Sequence, residues 1–201
     1  MTTLYLVRHG VTAHAGHRLT GWHPGVHLTD EGRRQAESVA ERLARARLSA
    51  VYSSPIDRAR ETAAPVAARH RLEVEVREGL GEVHYGAWSN RTFKSLVRTR
   101  LWQQVQRWPS AARFPEGETL RETQARALAE IERLRAAHPR GGVCCVTHAD
   151  VIKLVIAHYL GVHLDLYGRM TVDPGSISVV TISDGGPLVR AVNYVPEDVP
   201  R

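Results

Sequence analysis

Two spacings of apolar residues alternate along this chain. Leu4 to Val7 is a short unbroken apolar run, as in a buried strand, while Ala36, Val39, Ala40 and Leu43 recur at helical spacing. That second pattern predicts a helix from Thr29 to Arg47. Thr29 is placed to cap it, and Asp30 and Glu31 suit its first turn. Ala50 to Ser53 reads as a strand, Pro55 to His70 as a helix and Leu72 to Val76 as a further short strand. Residues 91–108 read as helical and Pro109 to Gly117 as a loop. A long amphipathic helix from Glu118 to His138 follows, with Leu120, Leu128, Ile131 and Leu134 on its apolar side. Val143 to Thr147 is a strongly apolar strand, and Gly161 ends a helix over 149–160. Ile177 to Ile182 and Leu188 to Tyr194 pair around Asp184-Gly185-Gly186, and the tail from Pro196 to Arg201 reads as frayed.

Strands alternating with helices predict an α/β fold: a three-layer sandwich whose mostly parallel central sheet has helices on both faces. The length of 201 residues suits a single domain over 1–201. Hydrophobic content of 43% and charged content of 24% are ordinary for a soluble globular chain. No apolar stretch reaches membrane-spanning length, and the N-terminus shows no secretory signal pattern. The two cysteines, Cys144 and Cys145, are neighbours on one predicted strand and point to opposite faces, which argues against a disulfide and for a reducing cytoplasm.

The net charge of +6 admits anionic partners. The arginines are spread along Glu-rich helices rather than gathered in a tail, so no nucleic-acid or membrane partner is indicated. A solvated basic surface accounts for most of them.

In an α/β sheet, ligands lie beyond the C-terminal ends of the strands. Here Arg8-His9-Gly10 follows the first strand, Ser53-Ser54-Pro55 with Arg58 follows the second, and Thr147-His148 follows the Val143 strand. An imidazole able to attack, fixed cations and a flexible backbone are the parts of a phosphoryl-transfer site.

These segments, with Thr20-Gly21-Trp22, Leu28-Thr29-Asp30-Glu31-Gly32, Glu61-Thr62-Ala63, Glu82-Val83-His84-Tyr85-Gly86 and Pro115-Glu116-Gly117-Glu118-Thr119, occur in an order that resembles the histidine phosphatase (phosphoglycerate mutase-like) superfamily. The resemblance spans residues 4 to about 182. It implies that His9 attacks phosphorus to form a phosphohistidine. It also implies that Arg8, Arg58 and His148 surround the phosphoryl oxygens, with Thr20 and Gly21 nearby. Glu82 would act as acid and then base. The positive charge of the arginines and His148 would stand in for a metal, so no metal and no cofactor is expected.

The chain departs from the family pattern. Val11, Thr12 and Ala15 stand where many members carry Glu, Thr or Ser, and Asn, so completion of the phosphate cradle falls to His14 or His17. The spacing of His14, His17, His23 and His27 matches no standard zinc pattern. Ala149 and Asp150 follow His148 where Gly is usual, and Asp150 brings a negative charge near the pocket. Val83 replaces the Arg typical of mutases, and the span from Glu82 to His148 is shorter than theirs. The expected activity is therefore hydrolysis of a small phosphorylated metabolite. A phosphoglycerate mutase-type phosphotransferase is the alternative, and a non-catalytic phosphate binder a remote one. An insertion over about 88–117 would form a lid or cap. Its Arg91, Lys94, Arg98, Arg100, Arg107 and Arg113, with Trp88, Phe93, Trp102 and Trp108, would either meet the substrate or make an amphipathic packing helix. A homo-oligomer is admitted, since the family includes monomers, dimers and tetramers.

Overall fold

The structure, a computed structural model, describes residues 1–196. The chain runs β1 (Thr2–Arg8), β2 (Arg18–Leu19), α1 (Asp30–Leu43), β3 (Leu48–Ser53), α2 (Asp57–His70) and β4 (Val74–Val76). It continues through β5 (Arg91–Thr92), α3 (Phe93–Leu96), α4 (Arg100–Arg107), α5 (Leu120–Ala137), β6 (Gly141–Thr147) and α6 (Ala149–Leu160). The hairpin β7 (Ile177–Ser183) and β8 (Gly186–Tyr194) closes the fold. The expected fraying beyond Pro196 concerns residues outside the described ones.

Six strands form the central sheet in the order β4-β3-β6-β1-β7-β8. β4, β3, β6 and β1 are mutually parallel, and β7 and β8 add antiparallel pairings at the other edge. Side chains alternate across the sheet, so each face owns its own core. Leu4, Leu6, Val143 and Cys145 pack against Ile131 and Leu134 of α5 and Ile152 and Ile156 of α6. Val7, Val51, Cys144 and Val146 pack against Val39 and Leu43 of α1 and Ala59, Ala63 and Val66 of α2. The adjacent cysteines thus face opposite layers, and both are free and buried.

Capping explains several helix starts. Thr29 accepts from the Gly32 N–H at the head of α1. Thr119 and Glu122 form a reciprocal capping box at the head of α5, satisfying two N–H groups that otherwise have no partner. Gly161 ends α6 in the left-handed conformation with φ of 65°. The single helix expected over 91–108 is instead broken in two. Thr92 caps α3, the chain turns after Leu96, and Thr99 caps a fresh start at α4. A hydroxyl that bonds its own downstream N–H competes with helix continuation. This segment packs as a third apolar cluster, with Leu96, Val105, Trp88 and Phe114 buried among Val83, Tyr85 and Leu154. β5 also pairs with β2, tying the segment to the loop after β1.

The loop after β1 is held to α1 by a contact only glycine permits. A Cβ on Gly10 would lie 2.4 Å from the Gly32 carbonyl oxygen, and one on Gly32 would lie 2.2 Å from the Val11 carbonyl oxygen. Both obstacles are backbone and cannot swing aside. Gly32→Ala is therefore expected to destabilise the fold by about 1–3 kcal/mol, the usual cost of overpacking. Gly168→Ala, where a Cβ meets nothing within 4 Å, is the neutral control. Urea unfolding of the two variants checks this, and equal midpoints would contradict it.

Candidate active site

Strand register brings the chemistry together. Arg8 is the partner of Thr147 across the β1–β6 pair, and Ser53 the partner of Val146 across β3–β6. The residues that follow therefore leave the sheet side by side. The His9 N–H donates to the Thr147 carbonyl (3.1 Å) and the Ser54 N–H to the Val146 carbonyl (2.9 Å).

Arg8, His9, Thr20, Gly21, Arg58 and Glu82 line one cavity at this end of the sheet. His148 stands directly behind, fully buried, its ring edge-on to His9 with centroids 5.2 Å apart. His9 Nδ1 lies 2.7 Å from the Gly10 carbonyl oxygen. A carbonyl can only accept, so Nδ1 carries the proton and Nε2 keeps its lone pair. Arg58 Nε donates to that Nε2 at 3.1 Å. Burial, then Arg58 and Arg8, hold the imidazole well below its ordinary pKa, so His9 is neutral.

Arg58 is 2% exposed, although it is a permanent cation. Its Nη2 donates to the Gly21 carbonyl (2.9 Å) and faces His148 Nδ1 (3.2 Å). Gly21, at φ of 56°, thus serves through its carbonyl by holding Arg58. Arg8 Nη1 donates to the Val172 carbonyl (2.7 Å). Arg58 Nη1 and Arg8 Nε are buried and have no hydrogen-bond partner among the described residues. Buried donors left unpaired are costly, so the site is built to receive acceptor oxygens.

Burial, and then Arg58, His9 and Arg8, also keep His148 well below its ordinary pKa, although Glu82 Oε2 lies 3.6 Å from its Nδ1. Its Nε2 reaches Ser54 Oγ at 2.8 Å. Without a ligand the fixed charge is thus that of Arg8 and Arg58, and the positive charge expected of His148 requires a bound dianion. Burial foremost, and next the field of Asp150, raises the Glu82 carboxyl to about 7, against the pull of Arg58 and Arg8. The other acids near it in sequence, Glu73 and Glu78, are not in the cavity wall.

The histidine-rich loop diverges. His27 pairs with Glu61 at 2.5 Å, and His23 Nε2 lies 3.1 Å from Asn90 Nδ2. Ala15, Gly16, Arg18 and Leu19 line the cavity from this loop. His14 and His17 stand outside that wall, although the charge of Arg58 reaches His14, whose Nδ1 is buried without a hydrogen-bond partner among the described residues. Phe93 is the only one of the basic and aromatic residues named above for 88–117 to reach the wall. The basic residues Arg91, Lys94, Arg98, Arg100 and Arg107 face solvent, and Arg113 is tied to Glu122 at 2.5 Å.

Arg126 carried no signal in the sequence, and the positioning contacts of Thr62 and Tyr85, which lie within the motif segments, were not read from it. Arg126 of α5 donates to the carbonyls of Gly79, Gly81 and Glu82 and pairs with Glu118, clamping the loop that carries Glu82. Thr62 accepts from the Gly10 N–H and donates to the Arg58 carbonyl, joining the His9 loop to α2. Tyr85 donates to Asp150 Oδ2 at 2.8 Å.

Comparison with known proteins decides the family. A sequence profile of the histidine phosphatase superfamily (branch 1) matches residues 4–195. The chain belongs to that superfamily. Phosphoserine phosphatase 1 of Hydrogenobacter thermophilus is 28% identical over 199 residues, 96% of this chain and 92% of its own. The adenosylcobalamin/alpha-ribazole phosphatase of Escherichia coli is 27% identical over 195 residues, 94% and 95% of the two chains. Among solved structures of the superfamily fold, Bacillus stearothermophilus YhfR superposes with a TM-score of 0.91 at 29% identity, covering 97% of this chain and 98% of that one.

The raised Glu82 carboxyl has a consequence for stability. Between its ordinary value of 4.5 and about 7 the folded chain holds a proton the unfolded chain releases, so stability falls across that window as pH rises. Glu82→Gln removes the penalty and keeps an acceptor for the Val83 N–H, which now bonds Oε1 at 3.0 Å. Above pH 8 the variant is expected to exceed the parent by on the order of 3 kcal/mol, and at pH 4 to match it. Thermal or urea unfolding at both pH values checks the sign.

Proposed function

We propose that the chain hydrolyses small phosphomonoesters without a metal, through a phosphohistidine on His9. The observation that carries this reading is the state of His9: neutral, its proton held on Nδ1 by the Gly10 carbonyl, its Nε2 lone pair on the cavity side among guanidinium groups. An imidazole is a nucleophile only in that state.

In this reading Arg8 and Arg58 take the phosphoryl oxygens through their unpaired donors, with Thr20 and Gly21 at the cavity wall. His9 Nε2 attacks phosphorus, the P–O ester bond breaks, and the Glu82 proton passes to the leaving oxygen. Water then attacks the phosphohistidine. Glu82, now a carboxylate, takes the water proton, and the P–N bond breaks to restore Nε2. A carboxyl near 7 is suited to both halves. His148 backs the cradle: its Nδ1 now accepts from Arg58, and it can donate to a phosphoryl oxygen only once a dianion has drawn a proton to it.

The relatives named as phosphatases support hydrolysis over phosphotransfer. So does Val83, which is fully buried and puts no cation at that position. We further propose that residues 88–117 act as the lid of a single domain, since Phe93 reaches the cavity while Trp88, Leu96, Val105 and Phe114 anchor the segment in the third apolar cluster. Two free thiols favour a reducing compartment, and the cytoplasm is the one proposed.

Phosphate release from para-nitrophenyl phosphate, sugar phosphates and phosphoglycerates is the test. Release is expected to survive chelator and to vanish in His9→Ala. Chelator-sensitive release, or release by His9→Ala, would overturn the reading. Glu82→Gln separates the acid step. It should lose about 10²- to 10⁴-fold on alkyl esters, whose leaving group needs a proton, and far less on para-nitrophenyl phosphate. Equal losses on both would remove Glu82 from that role.

A further inference from the structure

A carboxylate in the wall of a phosphate cavity calls for an explanation, because it repels the dianion the site is built to hold. Asp150, in the first turn of α6, lies in that wall with Arg8, Glu82 and Tyr85. Its Oδ2 accepts from Tyr85 O–H at 2.8 Å, which fixes the carboxylate. Its Oδ1 has Lys153 Nζ at 3.7 Å, too long for a hydrogen bond, and that ammonium also sits 5.9 Å from the centre of the Tyr167 ring. Among the described residues no hydrogen bond reaches Oδ1, and the side chain remains 24% exposed. One oxygen of a pinned carboxylate in the cavity wall thus has only the loose Lys153 ion pair and no hydrogen bond.

We propose that Asp150 is a specificity residue that selects phosphomonoesters whose leaving group carries an ammonium close to the ester oxygen. This rests on the phosphomonoesterase reading above and narrows it to a substrate class. The ammonium would donate to Oδ1 while Arg8 and Arg58 hold the phosphoryl oxygens. The ligand would then bring both signs of charge to a pocket that offers both. A neutral leaving group would leave the Asp150 charge opposed only by Lys153 and the arginines, which the phosphoryl group also needs. A satisfied structural carboxylate, holding Tyr85 and nothing more, is the competing account, and it requires no preference between esters of equal shape.

The test uses O-phosphoethanolamine and n-propyl phosphate, which have the same heavy-atom count and differ in ammonium against methyl. The ratio of their kcat/KM values is expected to be ten- to a hundredfold in favour of the ammonium ester in the parent, the usual range for a hydrogen bond to a charged group. Asp150→Asn keeps an acceptor for Tyr85 and the shape of the side chain, so it isolates the charge. It should bring the ratio down at least tenfold, and Asp150→Ala should do the same. A ratio near one in the parent, or one unchanged in Asp150→Asn, overturns the proposal. Equal preference for 2-hydroxyethyl phosphate overturns it in favour of a hydroxyl donor. If the parent hydrolyses none of the esters, the phosphomonoesterase reading fails separately. Calorimetric dissociation constants of the same esters with His9→Ala, with and without Asp150→Asn, then decide the specificity claim by the same ratio.

Discussion

The site depends on one buried cation. Arg58 is 2% exposed, and a guanidinium removed from water is tolerated only where acceptors meet its donors. Here those acceptors are a ring nitrogen of His9, one of His148 and the Gly21 carbonyl, none of them a carboxylate. The charge is therefore left largely uncompensated and available to a ligand dianion. It also acts on its neighbours. Burial first, and then this charge, keep His9 and His148 neutral, and the tautomer of each follows from which nitrogen accepts from the guanidinium. Thr62, one turn along α2, ties the Arg58 carbonyl to the backbone of the His9 loop, which fixes the element carrying the cation against the one carrying the imidazole.

That arrangement opposes stability from both ends of the pH scale. The two imidazoles have folded-state pKa values well below 6.5, so the unfolded chain binds protons they refuse, and stability falls as pH drops through the ordinary histidine range. Glu82 works in the other direction, as its raised value of about 7 shows. The compensation comes from the packing beneath: two apolar layers of Val, Leu, Ile and Ala side chains on either face of the sheet, and backbone contacts such as Gly10 on Gly32. Perturbed groups gathered at one strand-end cavity are what a catalytic site requires and a structural one does not.

Much of this was legible in the sequence because the signals are local. Apolar runs marked β1, β3 and β6, and the polar residues directly after them became neighbours once those strands paired in parallel. Thr29 and Thr119 announced their helices through cap chemistry that depends on three or four adjacent residues. What was not legible depends on contacts between distant positions. Arg126 meets the Glu82 loop from α5, and Tyr85 meets Asp150 across 65 residues, with no periodicity to betray either. The stretch 91–108 looked like one helix because its apolar spacing continues across the break, whereas Thr99 restarts the helix through its hydroxyl. Residue type alone did not show which side chains of the loop after β1 form the cavity wall, where Arg18 stands and His14 and His17 do not.

The central claim is that His9 rests as a neutral imidazole protonated on Nδ1. Nitrogen NMR of the ¹⁵N-histidine-labelled protein, with His9→Ala used to assign the signal, tests it directly. The account predicts a protonated Nδ1 and a bare Nε2 that do not titrate as pH falls through 6.5. A His9 signal that titrates near 6.5, or that shows the proton on Nε2, would contradict it.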